Sequence, residues 1–244
     1  MKVGIWGYGF VGQAMHSIMK DCDVTIYDIK DKYEHNKHLM YNQDIIFICV
    51  PTPNNEYRQD PALVQSALDS LVHNSFKGTV VVKSTVLCEN IDEYSMALNL
   101  CYNPEFLNQN TSIADAQNQE CVVLGGDIDV TKNVQSFYSM YTSIDPTYEF
   151  MTIKEASDFK YTRNLYGAFK VLFWEFIQDT TGNARKMADL YSKMEYQSEM
   201  SQVGMDGFRG FGGACFPKDT KAWDAKHKHV LTEFMLKYND KLSK

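Results

Sequence analysis

The stretch KVGIWGYGFVG, Lys2 to Gly12, decides the fold. Its opening KVGIW has the apolar, β-branched and aromatic character of a strand. Gly7, Gly9 and Gly12 then stand in the GxGxxG spacing. Spacing alone is a weak signal, because glycine triplets recur by chance, but here the context gives it weight. The glycines follow a strand, open a helical pattern from about Phe10 to Met19, and precede a second strand candidate, DVTIYD, ending in Asp28. Each position then has a task. Gly7 makes a tight turn, Gly9 lets the backbone approach a pyrophosphate, and Gly12 lets the helix pack closely on the sheet. The N–H groups and dipole of the helix N-terminus favour an anion there. Tyr8, Phe10 and Val11 complete the loop. Asp28 accepts ribose hydroxyls and repels a 2′-phosphate, so the pattern reads as an NAD site, with Lys30 weakening the preference slightly.

Working outward, strand candidates alternate with helical patterns: IIFICV at residues 45–50, a helix from about Ala62 to Val72, and TVVVK at residues 79–83. This order implies a Rossmann-type α/β fold, a doubly wound parallel sheet with helices on both faces. The rhythm loosens at NLCYNPEFL, resumes with CVVLGG at Cys121 to Gly126, and passes into a helical VTKNVQSFYSMY. From about Ile153 a long run at helical spacing opens a helical region. The expected organisation is a nucleotide-binding domain over residues 1–150 and a helical substrate and dimerisation domain over residues 151–244.

The 244 residues, 44% hydrophobic, suffice for a real core. A formal charge of −7 weighs against nucleic acid as a partner. The longest apolar run is too short to span a membrane, and MKVGIWG starts a strand rather than a leader, so the expectation is a cytoplasmic protein without a membrane segment. The six cysteines are scattered, with neither CxxC nor a neighbouring His, which signals no metal site and no disulfide framework. One of them, Cys215, lies in GFGGACFPKD, residues 210–219, where packing, ligation and nucleophilic attack all remain open.

Further stretches align with one family. VPTP at Val50 to Pro53, STV at Ser84 to Val86, NPEFL at Asn103 to Leu107, KYTRN at Lys160 to Asn164, and GFGGACFPKD occur in order along the chain. The chain thereby resembles the UDP-glucose/GDP-mannose dehydrogenases. The resemblance implies a four-electron oxidation of a nucleotide sugar's C6 alcohol to a carboxylate with two NAD in succession and no metal. Cys215 would be the nucleophile that forms a thiohemiacetal and then a thioester. Lys160 would stabilise an oxyanion, Asn164 would share its helix face, and Asp219 would orient water or handle its proton. Glu105 would be the base of thioester hydrolysis and Thr85 an organiser. Val50, Pro51, Thr52 and Thr85 would line the cofactor. Glu105, Phe106, Leu107, Lys160, Asn164, Arg209, Gly210, Phe211, Gly212 and Gly213 would line the sugar nucleotide, with Gly207 adding to the flexible approach.

The chain departs from the resemblance in places. Family members typically continue into a third, UDP-binding domain, so the chain reads as a short form. Gln109 stands where a second glutamate is common, and LCEN follows STV in place of Pro-Gly-Thr. The aromatic run YGAFKVLFWEF, residues 166–176, reads as core or subunit interface, hence an expected homodimer. Other readings are a UDP-N-acetylmannosamine or GDP-mannose dehydrogenase, a β-hydroxyacid dehydrogenase that oxidises once and needs no thiol, and a non-catalytic NAD-binding protein.

Overall fold

The computed structural model describes residues 1–30, 32–55, 58–193 and 209–242. The first elements are β1 (Lys2–Trp6), α1 (Phe10–Ile18), β2 (Asp23–Tyr27) and β3 (Ile45–Ile48). They are followed by two short strands, β4 (Asn54–Asn55) and β5 (Arg58–Gln59), then α2 (Ala62–His73), β6 (Thr79–Val82) and β7 (Asn99–Tyr102). Next come α3 (Ser112–Gln117), β8 (Cys121–Gly126), α4 (Ile128–Tyr141) and β9 (Thr147–Met151). Helices α5 (Ile153–Thr181), α6 (Ala184–Ser192), α7 (Phe216–His227) and α8 (Val230–Leu242) follow. The described residues divide into two compact units, residues 1–52 with 60–160, and residues 53–59 with 161–244.

The first unit is a seven-stranded sheet in the order β2-β1-β3-β6-β7-β8-β9. All neighbouring pairs are parallel except β7 and β8, which run antiparallel. The period-2 alternation of strand side chains explains its two cores. Ile46, Ile48, Val80, Val82, Leu100 and Tyr102 face Val64, Ala67, Leu68 and Leu71 of α2. Their sequence neighbours Ile45, Phe47, Val81 and Cys101 face Ala14, Met15 and Ile18 of α1 and Val134, Phe137 and Tyr138 of α4. Strand β7 is where the sequence rhythm loosened. It is nonetheless the fifth parallel strand, because Leu100, Cys101 and Tyr102 are buried between β6 and β8.

Strand order reverses between β1 and β3, the place where such sheets open a crevice beyond their carboxyl ends. The glycine loop leaves β1 there. The start of α5 belongs with the sheet, since Ile153 and Ala156 lie in its core. The sheet unit therefore runs through Lys160, past the junction at residue 150 read from the sequence. A capping box starts this long helix: Glu155 Oε2 accepts from Thr152 N at 2.9 Å, and Thr152 Oγ1 accepts from Glu155 N at 3.2 Å.

The second unit is helical. Ala168, Val171 and Leu172 of α5 pack with Phe211 and Met235, while Trp174 packs with Ala184 and Ala188 of α6. The aromatic run thus splits: Trp174 is buried, whereas Tyr166, Phe169 and Phe173 are 53%, 42% and 43% exposed along one side of α5. In the same unit β4 and β5 pair antiparallel, and Asn54 Nδ2 donates to Lys218 O at 3.1 Å.

Candidate active site

The glycine loop takes the shape its spacing implies. Gly7 has φ of 97°, and a Cβ there would sit 2.8 Å from the Cys49 carbonyl carbon. A Cβ on Gly12 would sit 2.2 Å from Gly7 O, so α1 could not approach β1 with any other residue there. At Gly9 a Cβ would meet nothing within 4 Å, and Gly9 caps α1 without a side chain. That combination leaves backbone donors facing open space, as a diphosphate requires. Asp28, at the end of β2, accepts from Tyr8 N at 2.5 Å and Lys30 N at 3.1 Å, which fixes its carboxylate beside the loop. Tyr8 is itself oriented by a 2.7 Å hydrogen bond between its hydroxyl and His16 Nδ1. Phe10 and Val11 are half-buried in the first turn of α1.

The VPTP and STV segments are tied together at the ends of β3 and β6. Thr52 Oγ1 donates to Thr85 O at 2.8 Å, and Ser84 Oγ donates to Val50 O at 2.7 Å. Thr52 and Thr85 are buried, while Pro51 is exposed and Val50 half-buried.

In the same unit NPEFL follows β7 and brings Glu105 to Lys160. Lys160 Nζ donates to Glu105 O at 2.7 Å and to Oε1 at 3.1 Å, and both residues are buried. Glu105 Oε2 accepts from Leu107 N at 2.7 Å. Burial pushes the Glu105 carboxyl up, but the Lys160 ammonium, the Leu107 N–H and Lys83 outweigh it and hold the group below its ordinary 4.5. Phe106 lies against the same ammonium, its ring centroid 5.5 Å from Lys160 Nζ. Phe106 and Leu107 are half-buried, and Gln109 is exposed.

The second unit holds the remaining candidates. Cys215 is half-buried at the N-cap of α7, where the helix favours negative charge, and Asp219 closes the first turn with its N–H donating to Cys215 O at 2.9 Å. Asp219 is wholly buried. Its Oδ2 accepts from Asn164 Nδ2, and Lys218 Nζ lies 2.9 Å from Oδ1. The lysine contact lacks hydrogen-bond alignment, so among the described residues Oδ1 accepts no hydrogen bond.

The glycine approach is tied more firmly than its composition suggests. Phe211 N donates to Asn239 Oδ1 at 2.6 Å, the Phe211 side chain is core, and Gly210 has φ of 86° against the same asparagine. Gly212 is half-buried, Gly213 is exposed, and Gly207 lies outside the described residues. Arg209 Nε donates to the buried Glu175 Oε2 at 2.5 Å, so its cation neutralises a carboxylate of α5.

Residues that motif reading passed over serve as anchors: Asn239 for Phe211, Gln59 for Tyr161 at 2.9 Å, and Lys83 with Tyr138 for Asn103. Only Lys83 and Asn103 carried a signal, as the residues adjoining STV and opening NPEFL. Among the described residues no group of three or more His, Cys, Asp or Glu is placed to hold a metal ion, and no helix is long and apolar enough to cross a membrane.

Residues 30–145 match the sequence model of the UDP-glucose/GDP-mannose dehydrogenase family, NAD binding domain. Over those residues the chain is similar to this family's NAD-binding domain. The matched NAD-binding model and the loop geometry agree on NAD as the cofactor, which Gly7 to Gly12 and Asp28 fit. The chain is 27% identical over 194 residues to the UDP-glucose 6-dehydrogenase of Rickettsia felis, covering 75% of this chain and 43% of that one. It is 26% identical over 208 residues to the GDP-mannose 6-dehydrogenase of Pseudomonas aeruginosa, covering 76% and 47%. It thus spans about half the length of these curated relatives. Its fold matches a UDP-glucose dehydrogenase structure from the hyperthermophilic archaeon Pyrobaculum islandicum with a TM-score of 0.78 at 20% identity, covering 98% of this chain and 68% of that one.

Proposed function

We propose that the protein oxidises the C6 alcohol of a nucleotide sugar to the carboxylate, with UDP-glucose as first choice of substrate. The observation that carries this reading is the first turn of α7. A thiol at the helix N-cap is followed by a wholly buried carboxylate with one oxygen taken by Asn164 and the other accepting no hydrogen bond. Beside the Lys218 ammonium at 2.9 Å that oxygen accepts no aligned hydrogen bond, and a water or substrate hydroxyl supplies one.

NAD, when bound, supplies a hydride acceptor, and two such transfers account for four electrons. The protein's residues do the rest. Lys160 has three N–H donors. Two of them are spent on Glu105, which leaves a third for the oxyanion that develops at C6. Ordered water takes the C6 hydroxyl proton as the alcohol becomes the aldehyde. The Cys215 sulfur then adds to that aldehyde to form a thiohemiacetal, whose oxidation, its hydroxyl proton again passing to water, leaves a thioester. Water then adds to the thioester carbonyl, Glu105 takes the water's proton, and the C–S bond breaks to release the carboxylate and restore the thiol. Asp219 and Asn164 orient that water, and Thr85 organises the loop beside the cofactor.

In this reading the sheet unit binds NAD, and the helical unit binds the sugar nucleotide through residues 209–213. The exposed Tyr166, Phe169 and Phe173 of α5 support a homodimer, which light scattering on the purified protein tests. A cytoplasmic setting suits a reduced nucleophilic thiol. The deciding experiment supplies UDP-glucose, UDP-N-acetylmannosamine and GDP-mannose with NAD and counts NADH per sugar consumed. A yield of two supports the reading. A yield of one points to a single-oxidation β-hydroxyacid dehydrogenase, and NAD binding without turnover to a non-catalytic protein.

A further inference from the structure

Lys83 directly follows β6 and precedes Ser84 and Thr85, and it is 4% exposed. Its ammonium donates to Asn103 Oδ1 at 2.8 Å and lies 3.5 Å from Asn103 O and 3.4 Å from the Tyr138 hydroxyl. No carboxylate among the described residues accepts a hydrogen bond from it. Asn103 is already well held: its N–H donates to Val82 O at 2.9 Å, its Nδ2 donates to Val123 O at 2.8 Å, and Oδ1 accepts from Tyr138 at 2.7 Å. Holding the amide therefore does not explain the charge. An enclosed ammonium whose acceptors are neutral costs folding free energy that an apolar side chain of like size would not.

The use of that charge lies two residues further along. Asn103 opens Asn103-Pro104-Glu105, and the fixed φ of Pro104 passes the orientation of Asn103 to Glu105 through a stiff link. We propose that Lys83 is a positioning residue for Glu105, locking the Asn103 end of this turn and adding, beside Lys160, a second cation that keeps the Glu105 carboxylate ionised as a base. The role rests on the dehydrogenase reading, in which Glu105 takes the proton of the hydrolytic water.

The titratable groups facing Lys83 are Cys49 after β3, Cys101 of β7, Glu105, Tyr138 of α4 and Lys160 of α5. Burial pushes the Lys83 ammonium down and repulsion from Lys160 adds to it, against the opposing pull of Cys49, Glu105 and Cys101. Burial also pushes both thiols up to about 12, so neither neutralises Lys83 at neutral pH. Glu105 is the carboxylate whose charge acts on Lys83.

The test is the titration of the Glu105 carboxyl, followed by carbon NMR of labelled protein, in wild type and Lys83→Met. The expected result is titration at higher pH in the variant, because a cation that held the group down is gone. With a sugar that turns over, the acid limb of the pH profile moves upward in step, and kcat falls about tenfold to a hundredfold while NAD affinity holds. If Lys83→Met does not fold, Lys83→Gln keeps a donor for Asn103 and removes only the charge. An unmoved Glu105 titration in the folded variant overturns the proposal. Wild-type protein that makes no NADH from any of the three sugars defeats the functional reading alone, and the Glu105 titration still decides the role of Lys83.

Discussion

Two buried carboxylates, one in each unit, are treated in opposite ways. Glu105 in the sheet unit has both oxygens engaged, by a lysine and a backbone N–H. Asp219 in the helical unit has one oxygen bonded to an amide and the other 2.9 Å from the Lys218 ammonium without an aligned hydrogen bond. A carboxylate held by a cation and an N–H stays ionised and able to take a proton, whereas one whose second oxygen accepts no aligned hydrogen bond keeps capacity for a water or hydroxyl. The contrast teaches that burial alone does not set a carboxylate's role; its partners do.

The sharpest way to break this contrast is at the thiol beside Asp219. Cys215→Ala is expected to lower four-electron turnover by at least about 10³-fold with the fold intact by circular dichroism. Full turnover by the alanine variant would sink the thiol mechanism. Asp219→Asn keeps the shape of the site and removes its charge. The expected loss is about 10²-fold or more in kcat, with a denaturation midpoint close to wild type; a large stability loss with normal kcat would make Asp219 a structural residue.

Lys160→Ala does the reverse in the sheet unit. It takes away the ion-pair partner of the buried Glu105 carboxylate, leaving the Leu107 N–H and the charge of Lys83, and should cost about 3–5 kcal/mol in urea unfolding. A cost within error of zero would show that Glu105 is hydrated in solution. The same pair sets an acid limit. Because the folded Glu105 carboxyl titrates below its ordinary 4.5, its contribution to stability is in place above that value and fades as pH falls through the lower folded one. Acid unfolding of wild type should be steeper in that range than acid unfolding of Glu105→Gln, and superimposable curves would argue that the carboxylate gains nothing from its partners. The smallest effect is local. Thr152→Ala removes the cap of α5 and should cost about 1 kcal/mol by thermal unfolding, and no change in Tm would mean that Glu155 alone secures the helix start.

The glycine loop, the alternating cores and the long helix were legible because each depends on neighbours in sequence. A turn needs glycine where φ is positive, a strand alternates, and a helix repeats its apolar face. Strand β7 was harder to read. NLCY is short and runs straight into NPEFL, and its burial comes from flanking strands that lie far away in sequence. The catalytic candidates were legible by resemblance, whereas their partners were not. Nothing local in KYTRN says that Lys160 meets Glu105, and nothing in GFGG says that Phe211 N is held by Asn239.

The sequence by itself determined the nucleotide loop, its aspartate and the residue types available for chemistry, since spacing within a turn or helix is a matter of bond geometry. Tertiary structure alone decided how each charge is partnered. It gave Glu105 to Lys160, gave Arg209 to Glu175, and set Asp219 Oδ1 beside Lys218 without an aligned hydrogen bond. The physical reason is that the state of a buried charge is set by whatever the fold brings within hydrogen-bond reach. For these residues that reach spans 55 positions between Glu105 and Lys160 and 34 between Glu175 and Arg209.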